Sequence, residues 1–290
     1  MRWPGPRSTD GKIRFAPLVM AAALGVAGLL GVALPARAQG KVEAKYEASL
    51  AGIPVGRGTW TIDITDDQYS AAASGGTAGL LKAFSGGSGS GQAQGRVVAG
   101  TLVPTGYSAT TTSAKKSEVI KMLIALGYVK DYSIEPEPPE DPERIPVTDA
   151  HRRNVLDPMT GSLLRVSGSG DLLTPDACRT GTAIFDGRMR YDIKLDYKRM
   201  EQVKAEKGYR GPALVCSVYF TPIAGYVPDR AALKYLAAQR NIEAWLVPIA
   251  GTRVLVPYRV SIPTPLGQAM LEATEFVTSA GPSKAAAKVN

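Results

Sequence analysis

The sequence of 290 residues contains one histidine and two cysteines, and this scarcity excludes several kinds of site. A single histidine cannot build a multi-histidine metal centre or a zinc site with two histidine ligands. His151 is also the only histidine available to a Ser-His-Asp arrangement, and no G-x-S-x-G turn supplies the serine. Because His151 follows a polar loop and precedes two arginines, we interpret it as an exposed or helix-capping side chain. The sequence therefore predicts no metal, no cofactor and no identifiable catalytic residue.

Motifs for nucleotides, calcium and nucleic acid are missing as well. Neither a P-loop nor G-x-G-x-x-G occurs, and the acidic run at 135–143 is interleaved with prolines and lacks an Asp-x-Asp loop with a glycine turn. The net charge is +8, but the first 38 residues carry five basic residues and Asp10, which leaves +4 on the remainder. A charge this small removes most of the case for a nucleic-acid partner.

The only long apolar run lies near the N terminus and indicates export. Basic residues precede the run at 15–34, and Pro35 and the small-x-small segment 36–38 follow it, as in a secretory signal. We predict a signal peptide at 1–38, cleavage near Ala38, and a soluble mature protein in the periplasm with no stable membrane span. An uncleaved anchor is the alternative, because the run is almost long enough to cross a bilayer. Neither cysteine directly follows the run, which argues against a lipoprotein.

Two cysteines in an exported chain predict one disulfide, Cys178 to Cys216. Such a bond would stabilise the fold by roughly 4 kcal/mol on the chain-entropy model. A reactive dithiol is the alternative, but the pair lacks C-x-x-C spacing and no histidine lies beside either cysteine in the sequence.

Alternation of apolar and polar residues predicts a mainly β protein: an antiparallel, strongly curved sheet, an open barrel or a sandwich, with two or three short helices. The chain divides into an N-terminal β part (39–134), a Pro/Glu-rich connector (135–147), a C-terminal β part with helices (148–279) and a disordered tail (280–290). The two β parts are expected to form one continuous domain. The predicted strands cover 42–50, 59–65, 101–112, 119–126, 128–134, 190–198, 213–220, 242–247, 252–262 and 268–277.

Several local features are less regular. The run of small residues at 85–95 is either a strand or a flexible linker, and we favour the strand. Asp157 precedes Pro158 and is expected to cap a short helix, whereas Asp229 is expected to cap a helix that runs to Arg240. The Asp-Gly pair after Phe185 predicts a tight hairpin turn.

A set of spaced motifs resembles the exported bacterial family known as domain of unknown function 3108. The motifs are Tyr-x-x-x-Leu-x-Gly-Ile-x-Val-Gly from Tyr46, Gly-Thr-Leu-Val-Pro-x-x-Tyr from Gly100, Asp-Pro-Met-Thr from Asp157, Cys178 followed by Phe-Asp-Gly-Arg-x-Arg-Tyr from Phe185, and Cys216 with Pro-Ile-Ala-Gly-Tyr from Pro222. The resemblance implies an exported β-rich domain with no established catalytic residues. Within it, Asp186, Arg188 and Arg190 suggest a structural ion pair or a ligand contact.

Three functional hypotheses follow. The first is an envelope protein without catalytic activity, whose curved sheet binds a lipid or another hydrophobic ligand. The second is a structural or assembly partner of another envelope protein, bound through a sheet edge. The third is a hydrolase of an envelope polymer that uses carboxylates such as Asp157, Asp186 or Asp192. Because motifs for catalysis are missing, we favour binding.

Overall fold

The structure, a computed structural model, describes residues 39–78, 86–113 and 116–281. The predicted signal peptide and residues 282–290 of the predicted tail lie outside the described residues. The described chain is mainly β, as predicted. Its strands are β1 (Gly40–Leu50), β2 (Ile53–Ile64), β3 (Gln68–Thr77), β4 (Gly87–Val98), β5 (Thr101–Ser113), β6 (Ser117–Ala125), β7 (Tyr128–Glu135), β8 (Leu164–Arg165), β9 (Thr180–Phe185), β10 (Arg190–Lys204), β11 (Lys207–Gly208), β12 (Arg210–Ala224), β13 (Ile242–Pro248), β14 (Val254–Thr264) and β15 (Gly267–Ala280).

The helical segments are short. The α-helices are Pro158–Gly161 and Ala231–Ala238, and two single 3₁₀ turns are Asp149–Arg152 and Pro175–Cys178. Within the described part of the chain, no helix has the length and apolar character needed to cross a membrane.

All of these strands belong to one sheet, ordered β7-β6-β5-β4-β3-β2-β1-β15-β14-β13-β12-β10-β9, with β8 and β11 attached at the side. The pairs along this order are antiparallel. β1 lies between β2 and β15, so the first and last strands of the described chain pair with each other. Most neighbours are consecutive in sequence because short hairpin turns connect antiparallel strands directly. The topology is that of one long meander whose last strand returns beside its first.

The two edge strands of this sheet, β7 and β9, are bridged by the segment 153–156. Arg153 pairs with Tyr128, and the backbone N–H of Val155 donates to the carbonyl of Gly127. On the other side, Leu156 exchanges backbone hydrogen bonds with β9. One short segment can reach both edges only if the sheet curves back on itself. The structure is therefore an open, strongly curved sheet, which decides between the curved and sandwich arrangements that the sequence left open.

The main hydrophobic core lies on the inner face of the curve. Val42, Ile62, Val215, Val256 and Phe276, which come from five different strands, are all buried there. A second cluster covers the opposite face of β12, β13 and β14 and contains the Cys178–Cys216 disulfide. The predicted disulfide is thus present, and both cysteines are fully buried.

Two local predictions need correction, and one strand lacks a predicted counterpart. The sequence pattern did not predict β3, although the small-residue run that follows it forms β4 as expected. The helix predicted from Asp229 begins after Arg230, which occupies the cap position without a capping hydrogen bond, and Asp229 instead accepts from Lys234. Ala280, assigned to a disordered tail, is the last residue of β15.

Candidate ligand-binding cavity

A row of glycines crosses the inner face of the sheet. In the strand register Tyr46 of β1 lies opposite Gly58, Gly58 opposite Gly75, and Gly75 opposite Gly89. Directly opposed residues place their side chains on the same face of a sheet. Three consecutive strands therefore contribute no side chain to this row, and an open space is left where the core would otherwise continue.

The backbone requires glycine at position 58 and packs closely against Gly75, whereas Gly89 has ordinary contacts. A Cβ atom built on Gly58 would lie 2.8 Å from the carbonyl oxygen of Ser74, and one on Gly75 would lie 3.0 Å from the carbonyl oxygen of Arg57. Real Cβ atoms essentially never come closer than 3.0 Å to a backbone oxygen, so a larger residue at Gly58 would force a backbone shift. At Gly75 the neighbouring strand would have to move by a few tenths of an ångström. The local strand geometry and the open space thus depend on the same residues.

The space above Gly58 and Gly75 is an open cavity of about 590 Å³, whereas Gly89 lines a neighbouring depression. The volume of the cavity falls within the range of small-molecule sites, roughly 300–1,000 Å³. Most of its lining is apolar and comes from β1, β2, β3, β5, β14, β15 and the helix Pro158–Gly161. Residues that contribute side chains to it include Tyr46, Ala48, Trp60, Ala73, Tyr107, Pro158, Met159, Pro257, Val260 and Leu271. A larger depression of about 1240 Å³ lies nearby, but Ser, Thr, Gly and charged residues dominate its lining. The apolar cavity is therefore the better candidate for a ligand that must leave water.

The helix Pro158–Gly161 forms one wall of the cavity, and buried polar contacts hold it in place. As predicted, Asp157 caps the helix: its carboxylate accepts hydrogen bonds from the backbone N–H groups of Met159 and Thr160 at 3.0 and 2.9 Å. The hydroxyls of Thr160 and Tyr69 are 2.7 Å apart. Asp157 is fully buried, and this burial raises its pKa.

Two aromatic residues in the lining differ in how their polar atoms are satisfied. The hydroxyl of Tyr46 donates to the carbonyl of Pro257 at 2.7 Å, and burial raises the pKa of Tyr46. Trp60 is only 8% exposed, and its indole Nε1 has no hydrogen-bond partner among the described residues. In contrast, Nε1 of Trp245 donates to Glu201 at 2.6 Å. Nε1 of Trp60 is therefore a buried donor without a partner among the described residues, and it is not accessible from the cavity.

The residues singled out from the sequence lie apart from the glycine row. Asp186 accepts from the backbone N–H groups of Arg188 and Met189 at 2.8 and 2.7 Å, which stabilises the hairpin turn. The guanidinium of Arg188 pairs with Glu118. Among the described residues, Asp186 forms no salt bridge with either arginine, so the structural ion pair expected there is replaced by other contacts. A ligand contact at these residues stays a prediction.

Arg190 pairs with the third candidate carboxylate, Asp192, at 2.7 Å. Burial raises the pKa of Asp186, as it does that of Asp157. Each of the three carboxylates proposed for hydrolysis therefore has a structural contact: a helix cap, a turn and an ion pair. Among the described residues, no group of three or more His, Cys, Asp or Glu side chains could hold a metal ion.

Sequence reasoning did not identify the cavity. The strand pairing that aligns Gly58, Gly75 and Gly89 joins residues far apart in sequence, and each glycine alone indicates only a turn or bulge. The sequence feature that could have indicated an open face was the alternation in β4, where glycine or alanine at every second position separates serine and glutamine.

Comparison with known proteins gives a family but no activity. The family model described as "Protein of unknown function (DUF3108)" matches residues 45–274. No curated protein matches the chain. Among solved structures, the chain is similar to a beta-barrel-like protein of domain of unknown function DUF1849 from Brucella abortus, with 6% identity and a TM-score of 0.43. That match covers 83% of this chain and 98% of the other.

Proposed function

The chain belongs to the DUF3108 family, whose description assigns no activity, and from its cavity we propose that it binds a hydrophobic ligand without catalysing a reaction. The observation that carries this proposal is the apolar cavity of about 590 Å³ on the inner face of the sheet. Burial of an apolar chain there would gain about 25 cal/mol for each Å² removed from water. Because the glycine row is built into the strands, the space exists before the ligand arrives, and little ordering opposes binding.

We also propose that the protein acts in the periplasm. The Cys178–Cys216 disulfide supports this location, because such bonds persist in oxidising compartments. The basic and apolar N-terminal segment supports it independently, because it has the order of regions found in a secretory signal.

Binding is preferred over hydrolysis because of how the carboxylates are used. A hydrolase needs an acid and a base that converge on a substrate. Asp157 and Asp186 instead accept backbone hydrogen bonds in a helix cap and a turn, and Asp192 is paired with Arg190. These contacts account for all three residues without a substrate.

Two neighbouring alanines of β3 offer a matched test. Ala73 lines the cavity, whereas Ala72 is exposed on the opposite face of the same strand. Ala73→Leu adds three carbon atoms to the cavity, and Ala72→Leu adds them outside it. Binding would be measured with the apolar fluorophore N-phenyl-1-naphthylamine on the full chain, and thermal unfolding would confirm that both variants are folded.

We expect Ala73→Leu to weaken fluorophore binding at least tenfold and Ala72→Leu to change it less than twofold. Equal binding by both variants and the parent protein would contradict the proposal, because the probe would then bind elsewhere. Failure of the parent protein to bind any apolar probe would contradict it as well.

A further inference from the structure

The β1–β2 and β14–β15 hairpins end side by side in turns that carry no charge. Their strands β1 and β15 pair, and the backbone N–H of Ala51 donates to the carbonyl of Gln268 at 2.9 Å. The segments 48–56 and 260–271, the paired tips, contain neither a charged nor an aromatic residue. Charged residues make up 21% of the sequence, so two neighbouring exposed turns without any form a distinct surface.

A row of charged residues marks the base of the paired tips. In the strand register Glu47 of β1 lies opposite Arg57 of β2. Glu272 of β15 lies opposite Glu47 on one side and opposite Arg259 of β14 on the other. Glu47 pairs with Arg57 at 3.3 Å, and Glu272 pairs with Arg259. The row thus consists of two ion pairs and has no net charge.

Beyond this row the paired tips present large apolar side chains to solvent. Ile53 is 63% exposed, Leu266 75% and Leu271 41%. Exposed apolar surface of this kind marks sites of interaction with a protein, a membrane or a ligand. Leu271 also lines the apolar cavity, as does Ala48. The surface of the tips is therefore shared in part with the cavity.

Polar groups of the paired tips bond to one another. The hydroxyl of Thr264 donates to the carbonyl of Gly267 at 2.7 Å and accepts from the backbone N–H of Leu266 at 3.2 Å. The side-chain amide of Gln268 donates to the hydroxyl of Ser261. Three further positions are prolines, which have no backbone N–H. Internal bonding of this kind is what a segment needs when it leaves water for hydrocarbon.

We propose that the paired tips dock onto a zwitterionic lipid bilayer and enter it as far as the charged row. Glu47 lies three residues before the end of β1, which places the row about 10 Å from the turn. Apolar segments at a membrane surface are buried roughly 5–10 Å deep, so the two lengths agree. The neutral row suits zwitterionic headgroups, whereas an anionic surface attracts an excess of Lys and Arg.

A protein partner fits the paired tips less well than a bilayer. Protein interfaces depend on anchors such as Trp, Tyr and Arg and on hydrogen bonds across the interface. The tips contain none of these three residue types, and several of their polar groups already bond within the tips. A fluid hydrocarbon layer requires neither feature. Docking goes beyond the proposed ligand binding and does not depend on it.

The first test measures flotation of the protein, purified from its own host, with phosphatidylcholine vesicles. Ile53→Ser combined with Leu266→Ser removes two apolar side chains from the tips. Leu126→Ser is the matched control, because Leu126 is 93% exposed in the β6–β7 turn. Successive hairpin turns alternate between the two ends of the strands, so this turn lies at the opposite end of the sheet. Thermal unfolding would confirm that each variant is folded.

Burial of one Leu or Ile side chain changes an affinity about tenfold or more. We therefore expect the double variant to bind vesicles at least about tenfold more weakly than the parent protein. Leu126→Ser should change binding less than about twofold, and parent binding should be the same at low and high salt. Equal losses in the two variants, or a parent protein that does not bind the vesicles, would overturn the inference.

A second measurement reports the surroundings of one tip directly. Leu266→Cys and Leu126→Cys would each carry nitrobenzoxadiazole on the new thiol, since Cys178 and Cys216 are joined in a disulfide. Vesicles should shift the emission of the label at position 266 to the blue and leave the label at position 126 unchanged.

Equal shifts at both positions, or no shift at position 266 in vesicle-bound protein, would overturn the inference. A blue shift at position 266 that needs no vesicles and grows with protein concentration would overturn it too, because the tips would then contact a second copy. Fluorophore binding in the cavity is measured without vesicles. Failure of docking is therefore distinguishable from failure of the proposed function.

Discussion

Reduction of the Cys178–Cys216 disulfide should lower the stability of the protein substantially. The bond closes a loop with a sequence separation of 38 residues. On the chain-entropy model, opening such a loop raises the entropy of the unfolded chain by about 13 cal/mol/K, or about 4 kcal/mol at 25 °C. For a domain of this size that corresponds to a decrease in melting temperature of roughly 8–16 °C.

The assay compares guanidinium unfolding curves with and without a phosphine reductant. Because both cysteines are fully buried, reduction should be carried out on the unfolded chain before refolding in the presence of reductant. The parent protein keeps both sulfur atoms when reduced, so its loss reflects the cross-link and not a cavity. A Cys178→Ala, Cys216→Ala variant is the control, since reductant should not change its curve.

Two outcomes would refute this reasoning. Free thiols in the untreated, unfolded protein would show that the bond is not formed. A reduced protein with an unfolding free energy within about 1 kcal/mol of the oxidised protein would show that the cross-link does not restrict the unfolded chain as the model requires.

Two further predictions concern the backbone and the buried carboxylate. Gly225 and Gly52 share a φ of +81°, but a Cβ on Gly225 would lie 1.9 Å from the carbonyl oxygen of Arg188, whereas one on Gly52 meets no atom within 4 Å. Chemical denaturation should show that Gly225→Ala costs about 3 kcal/mol and Gly52→Ala about 1 kcal/mol; equal losses would contradict the packing argument. Burial raises the pKa of Asp157 above its ordinary value of 3.8, so between these two values the folded protein binds a proton that the unfolded chain has lost. The contribution of Asp157 to the free energy of unfolding is therefore full below pH 3.8 and decreases as the pH rises through the raised pKa. Unfolding free energies measured from pH 4 to 7 should therefore fall for the parent protein relative to Asp157→Asn, and a difference independent of pH would be inconsistent with the burial effect.

The parts of the fold that the sequence predicts are those set by local alternation or turn chemistry. β1 alternates buried Val42, Ala44 and Tyr46 with charged residues, and this period of two was sufficient to place it. The strand β3 was missed because alanine, serine and glycine dominate it and have low strand propensity. Its pairing with β2 and β4, and not its composition, makes it a strand.

The closure of the sheet and the cavity depend on contacts between distant residues. The segment 153–156 has no pattern of its own, yet it bridges β7 and β9. The helix cap at Asp157 was predicted, because capping is a local rule, but its place in the cavity wall was not. Similarly, nothing in the sequence around Trp60 indicates that its indole nitrogen lacks a partner among the described residues.

The most direct test of the cavity is native mass spectrometry, with lipid extraction, of the protein purified from its own host. We expect a stoichiometric apolar ligand on the parent protein and on Ala72→Leu, and its loss from folded Ala73→Leu. Ligand-free protein in all three samples, or the same bound species in all three, would contradict the claim that the apolar cavity on the inner face of the sheet is the binding site.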